Sequence, residues 1–98
     1  MFFKRKTEIE KVYDKYGPKK GREFMIWYSV VLYLSVTDPS AATRKKVLDV
    51  IKEGWGEDYL IELSRFLNVV KNNKKLHREI CENDSILEDV DYVVMNSL

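Results

Sequence analysis

Apolar residues recur at three- and four-residue steps along most of the chain, and the breaks between these runs predict a series of short helices. Thr7-Glu8-Ile9-Glu10 is a capping box, in which the Thr7 hydroxyl accepts from the Glu10 amide. Ile9, Val12, Tyr13 and Tyr16 follow at helical spacing, and Gly17-Pro18 stops the run, which gives a helix over 8–16. The next helix covers 20–36. Its apolar residues (Phe24, Met25, Ile26, Trp27, Tyr28, Val30, Val31, Leu32 and Leu34) lie nearly all round, the pattern of an element buried at the centre of a fold. Val, Ile, Tyr and Trp also favour sheets, so a strand is the alternative here; the length of the run and the lack of a flanking hairpin turn favour helix.

Asp38 as N-cap and Pro39 at the first helical position predict a third helix over 39–53, with Ala42, Val47, Leu48 and Ile51 facing inward. Gly54 ends it, and Trp55 packs back on the fold. Gly56-Glu57-Asp58 places acids at the start of a fourth helix, where the backbone dipole is positive. Tyr59, Leu60, Leu63, Phe66, Leu67 and Val70 then form the most regular amphipathic stripe in the chain. Asn72-Asn73 marks a break before a fifth helix over 73–82, with Leu76 and Ile80 inward. After the turn Glu82-Asn83-Asp84, a second capping box at Ser85-Ile86-Leu87-Glu88 opens a final helix carrying Ile86, Leu87, Val90, Val93 and Val94. The β-prone stretch Val90 to Met95 allows a short strand instead. There is no internal repeat, low-complexity stretch or linker. The expected architecture is therefore all-α, a single bundle-like domain over 1–98 with five to six short helices.

The chain has 98 residues, 45% hydrophobic and 34% charged, enough for one core and too apolar for wholesale disorder. Seventeen Lys and Arg stand against sixteen Asp and Glu, a formal charge of +1 that excludes both a histone-like polycation and an acidic DNA mimic. The balance conceals a polarity. Residues 1–22 hold eight basic residues against three acids, a local +5; residues 80–98 hold five acids and no Lys or Arg, a local −5. These ends either attract each other or serve as docking patches of opposite sign. Cys81 is the single cysteine, so no intrachain disulfide forms, and a reducing, cytoplasmic location is the natural expectation. The basic start is followed by Thr7-Glu8-Ile9-Glu10-Lys11 rather than an apolar signal-peptide core. The longest apolar run, Phe24 to Val36, is 13 residues, well short of a membrane span of about 20.

Most catalytic signatures are missing. The sequence has no phosphate-cradling glycine loop, no Cys-x-x-Cys pair and no calcium loop, and His77 is the only histidine. His77 and Cys81, four apart, share a helix face and are the one candidate thiolate couple; with no orienting third group evident they read as structural. The adjacent pairs Glu57-Asp58 and Glu88-Asp89 diverge on a helix and do not form an acid/base pair. No enzyme activity, cofactor or metal is expected.

Three features point to binding. Glu62 to Val69 resembles the first half of a helix-turn-helix unit, with Ser64 as the small packing residue, Asn68 at the left-handed turn and Val69 as the apolar plug. The resemblance covers residues 59–81. It implies that Lys71, Asn72, Asn73, Lys74, Lys75 and Arg78 sit at the front of a recognition helix facing nucleic acid, with Arg44 to Ile51 as the supporting helix. It departs from the family pattern at Lys74, where an apolar residue is expected; Leu76 comes two residues late. The second feature is the basic end: Lys4, Arg5, Lys6, Lys15, Lys19, Lys20 and Arg22 converge if the first helix folds back at Gly17-Pro18, beside Phe2 and Phe3. The third is the tyrosine content, in which Tyr13, Tyr16, Tyr28 and Tyr33 lie close in sequence and Tyr is common at interfaces.

The expected function is that of a small non-catalytic regulatory protein that binds and modulates another macromolecule, above all a protein. The expected contact residues are Lys4, Arg5, Lys6, Lys19, Lys20, Arg22, Tyr13 and Tyr16. Small size and missing chemistry are shared with phage- or mobile-element-type regulators and inhibitors, an analogy of size alone. The alternative is a helix-turn-helix-like DNA-binding transcription regulator using residues 59–81. A homodimer is compatible with either.

Overall fold

Gly17 takes a positive φ of 89°, which few other residues adopt, and this turns the chain between its first two helices. The computed structural model describes residues 6–38 and 40–97. Among them run six helices and no strand: α1 Glu8–Tyr16, α2 Pro18–Thr37, α3 Ala41–Trp55, α4 Glu57–Lys71, α5 Lys74–Cys81 and α6 Asp84–Ser97. The architecture is an all-α bundle, and the strand alternatives at 24–36 and 90–95 are both resolved as helix.

The Thr7 hydroxyl caps α1 as expected, accepting from the Glu10 amide at 3.1 Å. Gly17 closes α1 with its N–H on the Tyr13 carbonyl at 2.8 Å. Pro18 opens α2 in the next residue, two positions earlier than the pattern suggested, because a proline at N1 needs no amide partner and is preset for helix. α2 is the central element and touches all five others. Phe24, Met25, Trp27 and Val30 are buried on it. The buried Ser29 hydroxyl is satisfied by donating to the Met25 carbonyl at 3.1 Å. Gly21 allows α1 to cross closely: a Cβ there would stand 3.2 Å from the Tyr13 ring and 3.3 Å from the Val12 carbonyl.

Three further boundaries differ from expectation. The N-cap of α3 is Ser40, whose hydroxyl accepts from the Thr43 amide at 3.2 Å. Asp38 instead ends α2, with its amide on the Leu34 carbonyl and its carboxylate accepting from the Thr43 hydroxyl at 2.6 Å. Pro39, placed above at the first helical position, lies outside the described residues. α3 also runs through Gly54 to Trp55, and Gly56, at φ 97°, makes the corner. Ala42 and Leu48 are exposed, because they sit about 100–140° round the helix from Val47, which with Ile51 faces the core. The N-cap of α6 is Asn83 and not Ser85: its side-chain oxygen accepts from the Ile86 amide at 3.1 Å. Ser85 is engaged elsewhere, by Arg22.

The core is rich in aromatic contacts between α1, α2 and α4. Phe24 meets Tyr16 and Tyr59 edge-on, each at 5.1 Å between ring centres, and Phe66 at 5.6 Å. Trp55 does pack back, edge-on to Trp27 at 5.4 Å and stacked against Tyr59, while 45% exposed. Polar contacts join distant segments. The Glu79 carboxylate on α5 accepts from the Glu8 and Ile9 amides, both at 3.2 Å, at the positive end of α1. Arg22 on α2 holds the Asp89 carboxylate on α6 at 2.6 Å and the Ser85 hydroxyl at 2.8 Å. The basic and acidic ends of the chain thus meet within the fold.

Candidate functional site

α2 has more apolar surface than its neighbours cover. On one side its Val31, Leu34 and Ser35 face Val47 and Leu48 of α3 and Leu67 of α4 across a half-enclosed cavity of about 160 Å3. A second, more open cleft continues along α2 past Tyr28 and Leu32 to Val70, Lys71, Lys74 and His77. Val31, Ser35 and Leu67 line both, so the two adjoin along α2 and together form a groove whose floor is apolar apart from Ser35. Leu48 is 37% exposed on its wall.

The charge around the groove is cationic. Arg44 stands at the α3 end, and Lys71 and Lys74 at the α5 end. Among the described residues none of the three has an ion-pair partner, whereas Lys6, Lys11, Lys20 and Arg22 pair with Asp14, Glu8, Glu62 and Asp89. The one carboxylate in the lining is Asp38. Hydrogen bonds from the Thr43 hydroxyl, then from Ser40, hold it below the ordinary carboxylate range. Its oxygens are taken up at the α2–α3 corner.

His77 and Cys81 do share a face, with Sγ 3.7 Å from Nε2. A third group is also present: the Tyr28 hydroxyl is hydrogen-bonded to His77 Nδ1. That partner comes from α2 and has no local signal in sequence. Burial, with Glu82 adding to it, pushes the Cys81 thiol up, away from the thiolate that nucleophilic chemistry needs. The Tyr28 phenol is likewise raised by burial and then by Cys81. Tyr28 and His77 of this cluster line the α5 end of the groove. Among the described residues no three His, Cys, Asp or Glu side chains come together to hold a metal ion. No helix among them is long and apolar enough to cross a membrane.

The helix-turn-helix geometry is corrected. α4 runs unbroken through Asn68 and Val69 to Lys71, and among the described residues no non-glycine residue has a positive φ. Val69 is 48% exposed rather than a plug, and Ser64 is exposed with its hydroxyl on the Leu60 carbonyl. Continuing the helix buries Val70 beside Phe66, and Asn68 avoids the cost of a left-handed turn. Of the residues the resemblance assigned to nucleic acid, Lys71 and Lys74 rim the groove, and Lys75 and Arg78 are exposed on α5. Asn72 donates to the Asn68 carbonyl at 2.9 Å. Asn73 is committed to the fold, capping α5 through the Leu76 amide at 3.1 Å and donating to Glu8 at 3.2 Å.

The residues assigned to a protein partner are dispersed. Lys4 and Arg5 lie outside the described residues. Lys6, Lys20 and Arg22 are ion-paired within the fold. Tyr13 packs beside Gly21, and Tyr16 lies edge-on to Phe24 and Phe66. Lys19 is exposed with no partner among the described residues. The groove residues Val31, Leu34, Leu48, Leu67 and Arg44 were not singled out as a site above. Their signal was the all-round apolar surface of α2, broader than the neighbouring stripes could bury. The chain matches no protein-family model, no curated protein and no solved structure.

Proposed function

We propose that this protein is a non-catalytic interaction module that docks a protein partner in the groove bounded by α2, α3, α4 and α5. The observation that carries the reading is a largely apolar floor, whose two clefts share Val31, Ser35 and Leu67, set between cations that have no ion-pair partner among the described residues. A contiguous exposed apolar surface with a polar rim is the usual signature of a binding face. Its effect on a partner is to cover a surface or hold a conformation, which suits a regulator or inhibitor. A lone cysteine held as thiol suits a reducing compartment such as the cytoplasm.

A nucleic-acid reading is favoured by one observation, the exposed Lys74, Lys75 and Arg78 on two turns of α5, next to Lys71. A photo-crosslinking phenylalanine analogue at Leu48, introduced in cells that make the protein, separates the two. Docking of a protein yields a discrete adduct that survives nuclease and is destroyed by protease, and the same analogue at Glu10 on α1 yields none. A nuclease-sensitive adduct, or no adduct at Leu48, contradicts the reading.

A further inference from the structure

We infer that the occupant of the groove is an acidic amphipathic helix of another protein, about three turns long. The inference rests on the docking reading above and names the chemistry of the partner. The groove follows α2 from Tyr28 to Asp38, ten residues apart, which is about 15 Å at the helical rise and matches roughly ten residues of a docked helix. Its floor is apolar, so an occupant must bring its own backbone hydrogen bonds. A helix does so and presents apolar side chains at i, i+3, i+4 and i+7 to such a floor. No strand exists among the described residues whose edge could pair with an extended peptide.

Charge sets the sign of the occupant. The lining carries three cations, Arg44 at one end and Lys71 and Lys74 at the other, against one carboxylate, Asp38 beside Arg44, so the groove is net positive and most strongly so at its α5 end. Carboxylates on both flanks of a docked helix complete these three cations, and like charge there is repelled.

A second copy of the chain is the nearest rival, because the outer side of α6 has the required character. Leu87, Tyr92 and Met95 are exposed there among Asp84, Glu88 and Asp91. However, α6 is held to α2 through Arg22, which lies about 120° round the helix from Tyr28 and farther from Val31. Groove and α6 therefore face apart. One copy's α6 in the next copy's groove is a head-to-tail contact, which must build a ring or a filament; a helix from a different protein satisfies the same apolar floor and cations in a simple one-to-one complex, and it is the occupant assigned here.

The test uses the purified full chain and labelled 14-residue synthetic peptides, read by fluorescence anisotropy at low salt. One peptide carries leucine at i, i+3, i+4 and i+7 with glutamate elsewhere; the second has lysine for every glutamate; the third has the first one's composition with the leucines scattered. The first binds at least about tenfold more tightly than either control, and the preference shrinks as salt rises. Arg44→Glu/Lys71→Glu/Lys74→Glu inverts the order of the first two peptides. The milder Arg44→Gln/Lys71→Gln/Lys74→Gln, which keeps side-chain size and puts no like charges together, erases the acidic preference. Equal binding of the scattered peptide, or of the lysine peptide, overturns the inference. So does displacement of the acidic peptide by a DNA duplex. Concentration-dependent assembly of the chain alone, dissolved by a peptide of residues 84–97, overturns it in favour of a second copy. A nuclease-resistant protein adduct at Leu48 together with no peptide preference leaves the docking reading standing and removes only the acidic helix; no adduct removes both.

Discussion

The two flanks of α2 use the same residue types to opposite ends. On the flank against α1 and α6, cations are consumed by the fold: Arg22 binds Asp89 and Ser85, and apolar side chains such as Met25 and Ile86 are fully covered. On the groove flank, Arg44, Lys71 and Lys74 have no ion-pair partner among the described residues and stand round Val31, Leu34 and Leu67, which remain partly exposed. A salt bridge at a helix junction fixes register at modest energetic return. A cation beside apolar surface with no internal partner adds little to the fold and is left free to meet a group of opposite charge.

The contrast breaks most visibly under truncation. Phe24→Ala removes a ring that touches Tyr16, Tyr59 and Phe66 with no exposure, and should cost about 3–5 kcal/mol in urea unfolding. That is a large share of the roughly 5–15 kcal/mol of a domain this size. Leu48→Ala on the groove wall should cost under about 1 kcal/mol, since its side chain is already partly in water. Comparable losses at the two positions would mean that the groove is core.

A second pair of substitutions compares tight and open packing. Gly21→Ala places a methyl 3.3 Å from the Val12 carbonyl, which is backbone and yields poorly, so a loss of about 1–3 kcal/mol is expected by thermal unfolding. Gly54→Ala meets nothing within 4 Å inside a helix and should stabilise by about 0.5–1 kcal/mol. Between these lies Glu79→Ala, which deprives the start of α1 of the carboxylate that two amides donate to. It should cost about 1–2 kcal/mol and raise amide hydrogen exchange at Glu8 and Ile9 selectively.

The smallest effect at neutral pH belongs to Tyr59, which donates to Glu23 at 3.1 Å. Burial first, then the Glu23 charge, raises its phenol far above the ordinary tyrosine range. The unfolded chain releases that proton near pH 10, so the unfolded state is favoured as pH rises beyond about 10 and the Tyr59 contribution to stability is lost. Below that value both states keep the proton and no pH dependence arises from it. Tyr59→Phe should flatten the alkaline fall in melting temperature; an unchanged fall would assign it to other groups.

Much of the fold was legible because helix ends are written locally. The Thr7 cap, the Gly17-Pro18 corner and the stripe from Tyr59 to Val70 need no distant partner to be read. The errors arose where two local signals competed, and in one of the two cases a long-range contact decided. Asp38-Pro39 and Ser40 both suit a helix start, and Thr43 binds both oxygens. Ser85 and Asn83 both suit the start of α6, and Arg22, 63 residues away from Ser85, takes the serine. The left-handed turn expected at Asn68 is absent for a related reason: Ser64, Asn68 and Val69 also fit the outer face of a helix that simply continues. The groove was invisible for want of any local pattern, being assembled from α2, α3, α4 and α5.

The most direct measurement is an amide chemical-shift titration of the full chain with the leucine–glutamate helical peptide. Shifts are expected to concentrate at Leu32, Ser35, Arg44, Leu48, Leu67, Lys71 and Lys74, with Asp89 and the α1 residues unmoved. Shifts centred on Lys19 and the start of α2, or on the outer side of α6, would contradict docking in the groove.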